Sequence, residues 1–260
     1  MSSTTRFTPE QLADFERDGF VIQRGLLDAE EAAILRDYAK NDPALLGDAS
    51  SRKDAEGRAT LLRLWNEPSD EPYGILARMP RIVDRVEQAL GGEAYHYHSK
   101  MSLKQPRVGG AWEWHQDYGY WYDFGCLYPL LVSVMTAIDR SNRDNGCLQV
   151  LVGSHKIGRI NHGPIGDQTG ADPEHVEAAC RRHELAYVEL EPGDAVFFHC
   201  NLLHRSDDNR SEHPRWTLIC CYNARRNDPY KASRHPSYAP LERVTETALR
   251  EWRDAAPAGA

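Results

Sequence analysis

Residues 185–204, LAYVELEPGDAVFFHCNLLH, decide the fold. Leu185–Leu190 is a short apolar run and Ala195–His199 is another. Between them stands Glu191-Pro192-Gly193-Asp194. Proline presets one turn dihedral and glycine accepts the left-handed one, so the stretch reads strand, turn, strand. The same kind of segment recurs upstream and downstream. Ala94–Lys104 alternates Tyr, His and Ser with period two; Leu127–Ile138 is a long apolar run; Cys147–Val152 and Trp216–Tyr222 are shorter. Strands this short and this evenly spaced predict a β-sandwich or barrel.

Outside this region the pattern is helical. Thr8-Pro9-Glu10-Gln11 is a capping box with Pro at the first helical position, with Phe15 on the apolar face and Gly19 as the stop. A short strand, Phe20-Val21-Ile22, follows. Asp28 caps a second helix carrying Ala32, Ile34, Leu35 and Tyr38. Residues 41–60, polar and small, are expected to be an exposed loop. Ile82, Val83, Val86 and Leu90 have helical spacing and end at Gly91-Gly92. A last helix is expected over Leu241–Trp252. The predicted architecture is one domain, mainly β with flanking helices. Residues 1–92 form a largely helical region packed on the core, 93–223 the β core, and 224–260 a tail with a helix.

Composition bounds the function. The chain has 260 residues, 41% hydrophobic and 27% charged, with 19 Gly and 15 Pro, an ordinary globular make-up. No apolar run approaches the ~18 residues of a membrane span, and MSSTTRFTPEQ lacks the apolar core of a signal peptide. The net charge of −8 argues against nucleic-acid or anionic-membrane partners. Six cysteines show no CxxC spacing, so buried free thiols and a reducing cytoplasm are expected.

Chemistry concentrates at Trp114-His115-Gln116-Asp117. Residues i and i+2 of a strand share a face, so His115 and Asp117 can hold one cation. His204, 87 residues after Asp117, follows the strand Ala195–His199 and can complete two His and one carboxylate. That set leaves three octahedral positions open and suits non-haem iron(II) oxygenases. His96 and His98 form a rival same-face pair, His199 rivals His204, and a zinc hydrolase could use the same ligand types. Spacing does not choose among these. Arg215, eleven residues after His204, opens the strand Arg215–Leu218 and could hold a carboxylate bidentately, with Ser206 as a further donor. Trp112, Trp114, Tyr118, Tyr120, Trp121 and Tyr122 crowd the motif and suggest an aromatic substrate pocket. Residues 155–183 are a long polar excursion, a lid or a structural insert.

Several stretches together resemble the phytanoyl-CoA dioxygenase family of iron(II)/2-oxoglutarate oxygenases. They are Phe15–Phe20, Lys104-Gln105-Pro106, Gly109-Gly110, His115-Gln116-Asp117, Asp144–Leu148 with Gly153-Ser154-His155, and Glu191–Asp194 leading to His204 and Arg215. The resemblance implies a double-stranded β-helix, or jelly-roll, core of the cupin type. It implies iron on His115, Asp117 and His204, and 2-oxoglutarate with its distal carboxylate on Arg215 and Ser206. Gln116 matches a residue near the cosubstrate, and Met135 stands where relatives often carry Trp. Lys104, Trp114, Tyr118 and Tyr120 are the expected substrate contacts. A carboxylate at 117, where related halogenases have a small residue, favours hydroxylation or desaturation. The implied reaction consumes O₂ and 2-oxoglutarate, with ascorbate as an in vitro support, and releases succinate and CO₂. No basic cluster stands out for the phosphates of coenzyme A, so the expected partner is a small free metabolite. The other functions these residues allow are an inactive or metal-only jelly-roll binding module and the zinc hydrolase.

Overall fold

Two capping boxes start the chain's first helices. Thr8 and Gln11 exchange side-chain and backbone bonds at α1 (Pro9–Asp18), and Asp28 and Glu31 do the same at α2 (Ala29–Asn41), with β1 (Phe20–Gln23) between them. In this computed structural model, which describes residues 5–255, there follow α3 (Pro43–Gly47), β2 (Ser50–Lys53), β3 (Ala59–Trp65), α4 (Pro72–Arg78) and α5 (Pro80–Leu90). Next come β4 (Ala94–Lys104), β5 (Trp112–His115), α6 (Asp117–Trp121), β6 (Leu131–Ala137) and β7 (Leu148–Leu151). Then come β8 (His162–Ile165), β9 (Gln168–Ala171), α7 (Pro173–Cys180), β10 (Leu185–Val188), β11 (Ala195–His199), β12 (His204–Ser206), β13 (Arg215–Ala224) and α8 (Ala248–Ala255).

The strands make a seven-stranded sheet, β1-β11-β6-β13-β4-β3-β2, and a four-stranded sheet, β10-β7-β12-β5. All pairings are antiparallel, and the two sheets face each other as a jelly roll. β6 shows why its sequence lacks polar alternation. Val132 and Val134 face out and pack with Phe15, Leu35, Leu76 and Ile82 of the helices. Met135 and Ala137 face in and pack with Leu148, Val150, Val196 and Phe198 between the sheets. A strand covered on both faces is apolar throughout.

Three expectations need correction. Residues 41–60 hold α3 and β2 and run into β3. Ser50-Ser51-Arg52-Lys53 shows no apolar signal because β2 is the outermost strand and buries little. Residues 1–92 are not only a helical layer: β1 pairs with β11 and β3 with β4, so they supply strands at both ends of the large sheet. The last helix starts at Ala248, because the preceding segment is pinned outside helical pairing, Val244 N donating to Arg78 O and Glu246 receiving Arg81. Among the described residues no helix is long and apolar enough to cross a membrane.

Candidate metal centre and cosubstrate cleft

β5 ends at His115, and the chain turns straight into α6, so Asp117 begins a helix and does not continue the strand. The two side chains still meet, with His115 Nε2 3.9 Å from Asp117 Oδ1. β12 lies beside β5 and sets His204 opposite His115. One ligand atom from each of the three residues lies within 4.8 Å of the others. Each imidazole donates from Nδ1 to a backbone carbonyl, His115 to Glu113 at 2.7 Å and His204 to Leu202 at 2.9 Å. This fixes the tautomer and leaves both Nε2 lone pairs for a cation.

The carboxylate is held just as firmly. Ser133 Oγ donates to Asp117 Oδ2 at 2.8 Å, the Tyr120 hydroxyl donates to Oδ1, and Lys100 Nζ lies 3.4 Å from Oδ1. Burial alone would raise the Asp117 pKa; the Lys100 charge, with the hydrogen bond from Tyr120, outweighs it and holds the group ionised, well below the carboxylate range. Burial, then His204, pushes the His115 pKa well down, and burial lowers that of His204. The set therefore offers two neutral imidazoles and one anion at neutral pH, which fits iron(II).

A cavity runs inward from this cluster, walled by Met135, Leu148, Phe198 and Ile219 and lined by Ser206 and Arg215. Ser206 follows His204 by two residues, roughly 7 Å along β12. Arg215 is 2% exposed, and its Nη1 donates to Thr217 Oγ1 at 3.2 Å. Its Nε and the Ser206 hydroxyl have no hydrogen-bond partner. Burial brings the guanidinium down to about 10, still a cation at neutral pH. A buried cation without a carboxylate partner is costly unless an anion completes it. The cleft fits a dicarboxylate.

Other expected site residues fall elsewhere. Gln116 does not face the cleft: Nε2 donates to Gly158 O and Asn201 O, each at 2.8 Å, and Oε1 accepts from Ile160 N. It ties the 155–183 excursion to the motif. Tyr118 is buried and its hydroxyl donates to Leu127 O, because one residue along α6 is a 100° rotation away from Asp117. Tyr120 and Trp121, three and four residues on, return to that face and line the outer cavity. Trp114 turns away from the cleft. The β5–β12 register shifts so that Trp112 pairs with Ser206 and His115 with His204, and Trp114 packs under the Arg205 guanidinium. Lys104 is opposite Arg215 on the neighbouring strand, fully buried, donating to Asp207 O, and not at a substrate opening. Of the rival histidines, His96 bonds Asn66 O and Ser99, and His199 accepts from Asn201 N. The sequence reading missed Lys100 and Ser133 around Asp117. The period-two run of β4, with His98, Lys100 and Ser102 on one face, carries the signal for Lys100.

A jelly roll with two histidines and an aspartate beside an arginine-ended cleft defines a non-haem iron oxygenase. The family model for phytanoyl-CoA dioxygenase matches residues 15–217. The chain belongs to the phytanoyl-CoA dioxygenase family, and with it to the iron(II)/2-oxoglutarate-dependent dioxygenases. It is 32% identical over 187 residues to the L-proline trans-4-hydroxylase of Streptomyces griseoviridis, covering 64% of this chain and 68% of that one. It is 28% identical over 264 residues to the ectoine dioxygenase of Sphingopyxis alaskensis, covering 94% and 85%. The crystal structure of EctD from S. alaskensis with 2-oxoglutarate and 5-hydroxyectoine shares the fold, with a TM-score of 0.77 at 24% identity over 94% of this chain and 89% of that one.

Proposed function

We propose that this protein hydroxylates a C–H bond of a small free metabolite, with His115, Asp117 and His204 holding iron(II) and Arg215 with Ser206 holding the distal carboxylate of 2-oxoglutarate. The observation that carries this is the buried, carboxylate-free guanidinium of Arg215 in the cavity that begins at the His–Asp–His cluster. Iron held there would let O₂ act as the oxidant with 2-oxoglutarate as the two-electron reductant, so that one C–H becomes C–OH while 2-oxoglutarate becomes succinate and CO₂.

The chain's own residues orient and exclude. The backbone carbonyls of Glu113 and Leu202 aim the two imidazoles. Ser133 and Tyr120 hold the carboxylate in one rotamer. Phe198, Met135 and Ile219 keep water from the cosubstrate. The relatives named above as proline hydroxylase and ectoine dioxygenase support a substrate of that size. Six free cysteines, five of them buried, support a reducing compartment such as the cytoplasm.

The test is a metabolite screen under air with iron(II), 2-oxoglutarate and ascorbate, scored by substrate-dependent succinate. Failure to bind 2-oxoglutarate in the anaerobic iron form would overturn the assignment.

A further inference from the structure

Beyond the metal cluster the molecule opens into a second cavity of about 520 Å³, sharing Leu62, Lys100 and His115 with the inner one. Its size is that of a small-ligand site. One side of its wall is apolar and aromatic: Leu64, Tyr120, Trp121 and Phe124. Its charged lining is Arg52, Lys100 and Arg234 against the single carboxylate of Asp167. On a chain of net charge −8, that is a local reversal of sign.

Neither arginine of the pair has a counter-ion among the described residues. Arg17, Arg107, Arg225 and Arg243 each sit on a carboxylate at the surface. Arg52 reaches only the carbonyl of Ser51 at 3.2 Å, and Arg234 lies over the Phe124 ring at 4.6 Å. Neither makes an ion pair among the described residues. Deeper in the same cavity His98 is 2% exposed and stacked on His235 at 4.5 Å, and its Nδ1 has no partner. A buried ring nitrogen left unbonded costs free energy unless something occupies the space beside it.

We propose that this cavity selects substrates carrying a carboxylate, which Arg52 and Arg234 hold at the rim while an apolar body lies against Tyr120 and Phe124 and a polar group meets His98. The proposal rests on the oxygenase reading, since the carbon to be oxidised then lies on the His115 side. A planar guanidinium pair recognises a carboxylate and not its neutral amide.

The probes are L-proline with L-prolinamide, and 3-phenylpropanoate with 3-phenylpropanamide. They are titrated anaerobically into enzyme already holding iron(II) and 2-oxoglutarate, with perturbation of the metal-to-ligand absorption band as the readout. At least one carboxylate should bind about tenfold more tightly than its amide, since a hydrogen bond to a charged group is worth about 1.5 kcal/mol or more. The double variant Arg52→Gln/Arg234→Gln should erase that preference and leave the 2-oxoglutarate dissociation constant unchanged. Equal binding of acid and amide, a preference surviving the double variant, or no binding of either acid at millimolar concentration overturns the proposal. Loss of the absorption band itself would instead indict the oxygenase reading, so the two failures are told apart.

Discussion

Arg215 and His96 are both buried on the strands that carry the site, and burial lowers the pKa of both, with different outcomes: the guanidinium stays charged and the imidazole stays neutral. Arg215 stays charged and lacks an anion, so its replacement should be felt by the cosubstrate alone. Losing one member of a buried pair costs about 3–5 kcal/mol, and Arg215→Ala should weaken 2-oxoglutarate binding by roughly two to three orders of magnitude. Arg215→Lys should recover some of this, because an ammonium keeps the charge but cannot present the planar fork. Titration of 2-oxoglutarate into the anaerobic iron form measures both, and iron affinity should hardly change. His96 is buried and neutral, with burial pushing its pKa from 6.5 down to about 4. Above pH 6.5 folded and unfolded chains both carry the neutral ring, and stability is whole. Between 6.5 and about 4 only the unfolded chain takes the proton, so stability falls with pH, by at most about 3 kcal/mol from this ring. Urea midpoints measured from pH 7 to 4 should fall less steeply in His96→Gln than in the parent. Of the proposed ligands, His115 and Asp117 were legible because their types are rare and they stand two residues apart; His204, 87 residues on, was singled out from His199 only by the family resemblance. Arg52, His98 and Arg234 were not legible, because they come from β2, β4 and the stretch after β13, which no local pattern brings together.

The short elements around the motif explain which aromatic residues reach the site. Alternation along a regular strand would have kept both Trp112 and Trp114 off the His115 face and Asp117 on the strand; a register shift in β5 brings Trp112 to the cleft, and a helical turn begins at 117. Such irregularities leave no periodic trace, so Trp114 and Tyr118 could not be sorted from Trp112 and Tyr120 by sequence. Two glycines reveal the tolerances. Gly146 has φ +75 and its backbone lies against the carbonyl of Asp207, just past β12, so a side chain there would be strained and would also push that strand. Gly119 of α6 lies against the His162 ring, whose Nε2 accepts from Gln116 N at 2.9 Å. Gly119→Ala should therefore displace β8 from the motif. Iron affinity should fall by about tenfold, as when partners that orient a ligand are removed. Far-ultraviolet circular dichroism should be retained, and a fully retained iron affinity would show that β8 does not steady Asp117.

At the scale of the molecule, α2, α5 and the segment leading into α8 are clamped together across the helical layer. Arg81 donates to Glu31 Oε2 at 2.7 Å and to Leu26 O at 3.0 Å, and it grips Glu246 through backbone and side chain. Glu31 is 1% exposed and also receives Arg250 of α8 at 2.9 Å. Arg81→Met leaves Glu31 with Arg250 and Asp28 N, and takes the guanidinium from Glu246, which keeps the backbone N–H of residue 81. The expected loss is roughly 3 kcal/mol, the low end for a broken buried pair, because Arg250 remains. Early tryptic cleavage after residue 240 with an unchanged 2-oxoglutarate dissociation constant would locate that loss in the clamp.

The segment from His162 to Ala171 is spliced to the motif at three points: His162 with Gln116 N, and Gln168 with both Glu113 N and Ala111 O. A wall fastened in this way is a splint, not a door. It cannot swing outward without loosening the grip of the proposed ligands. The outer cavity is bordered instead by the β2 edge and the stretch bearing Arg234, and in the proposed scheme that threshold sorts reactants by charge before the interior tests their shape.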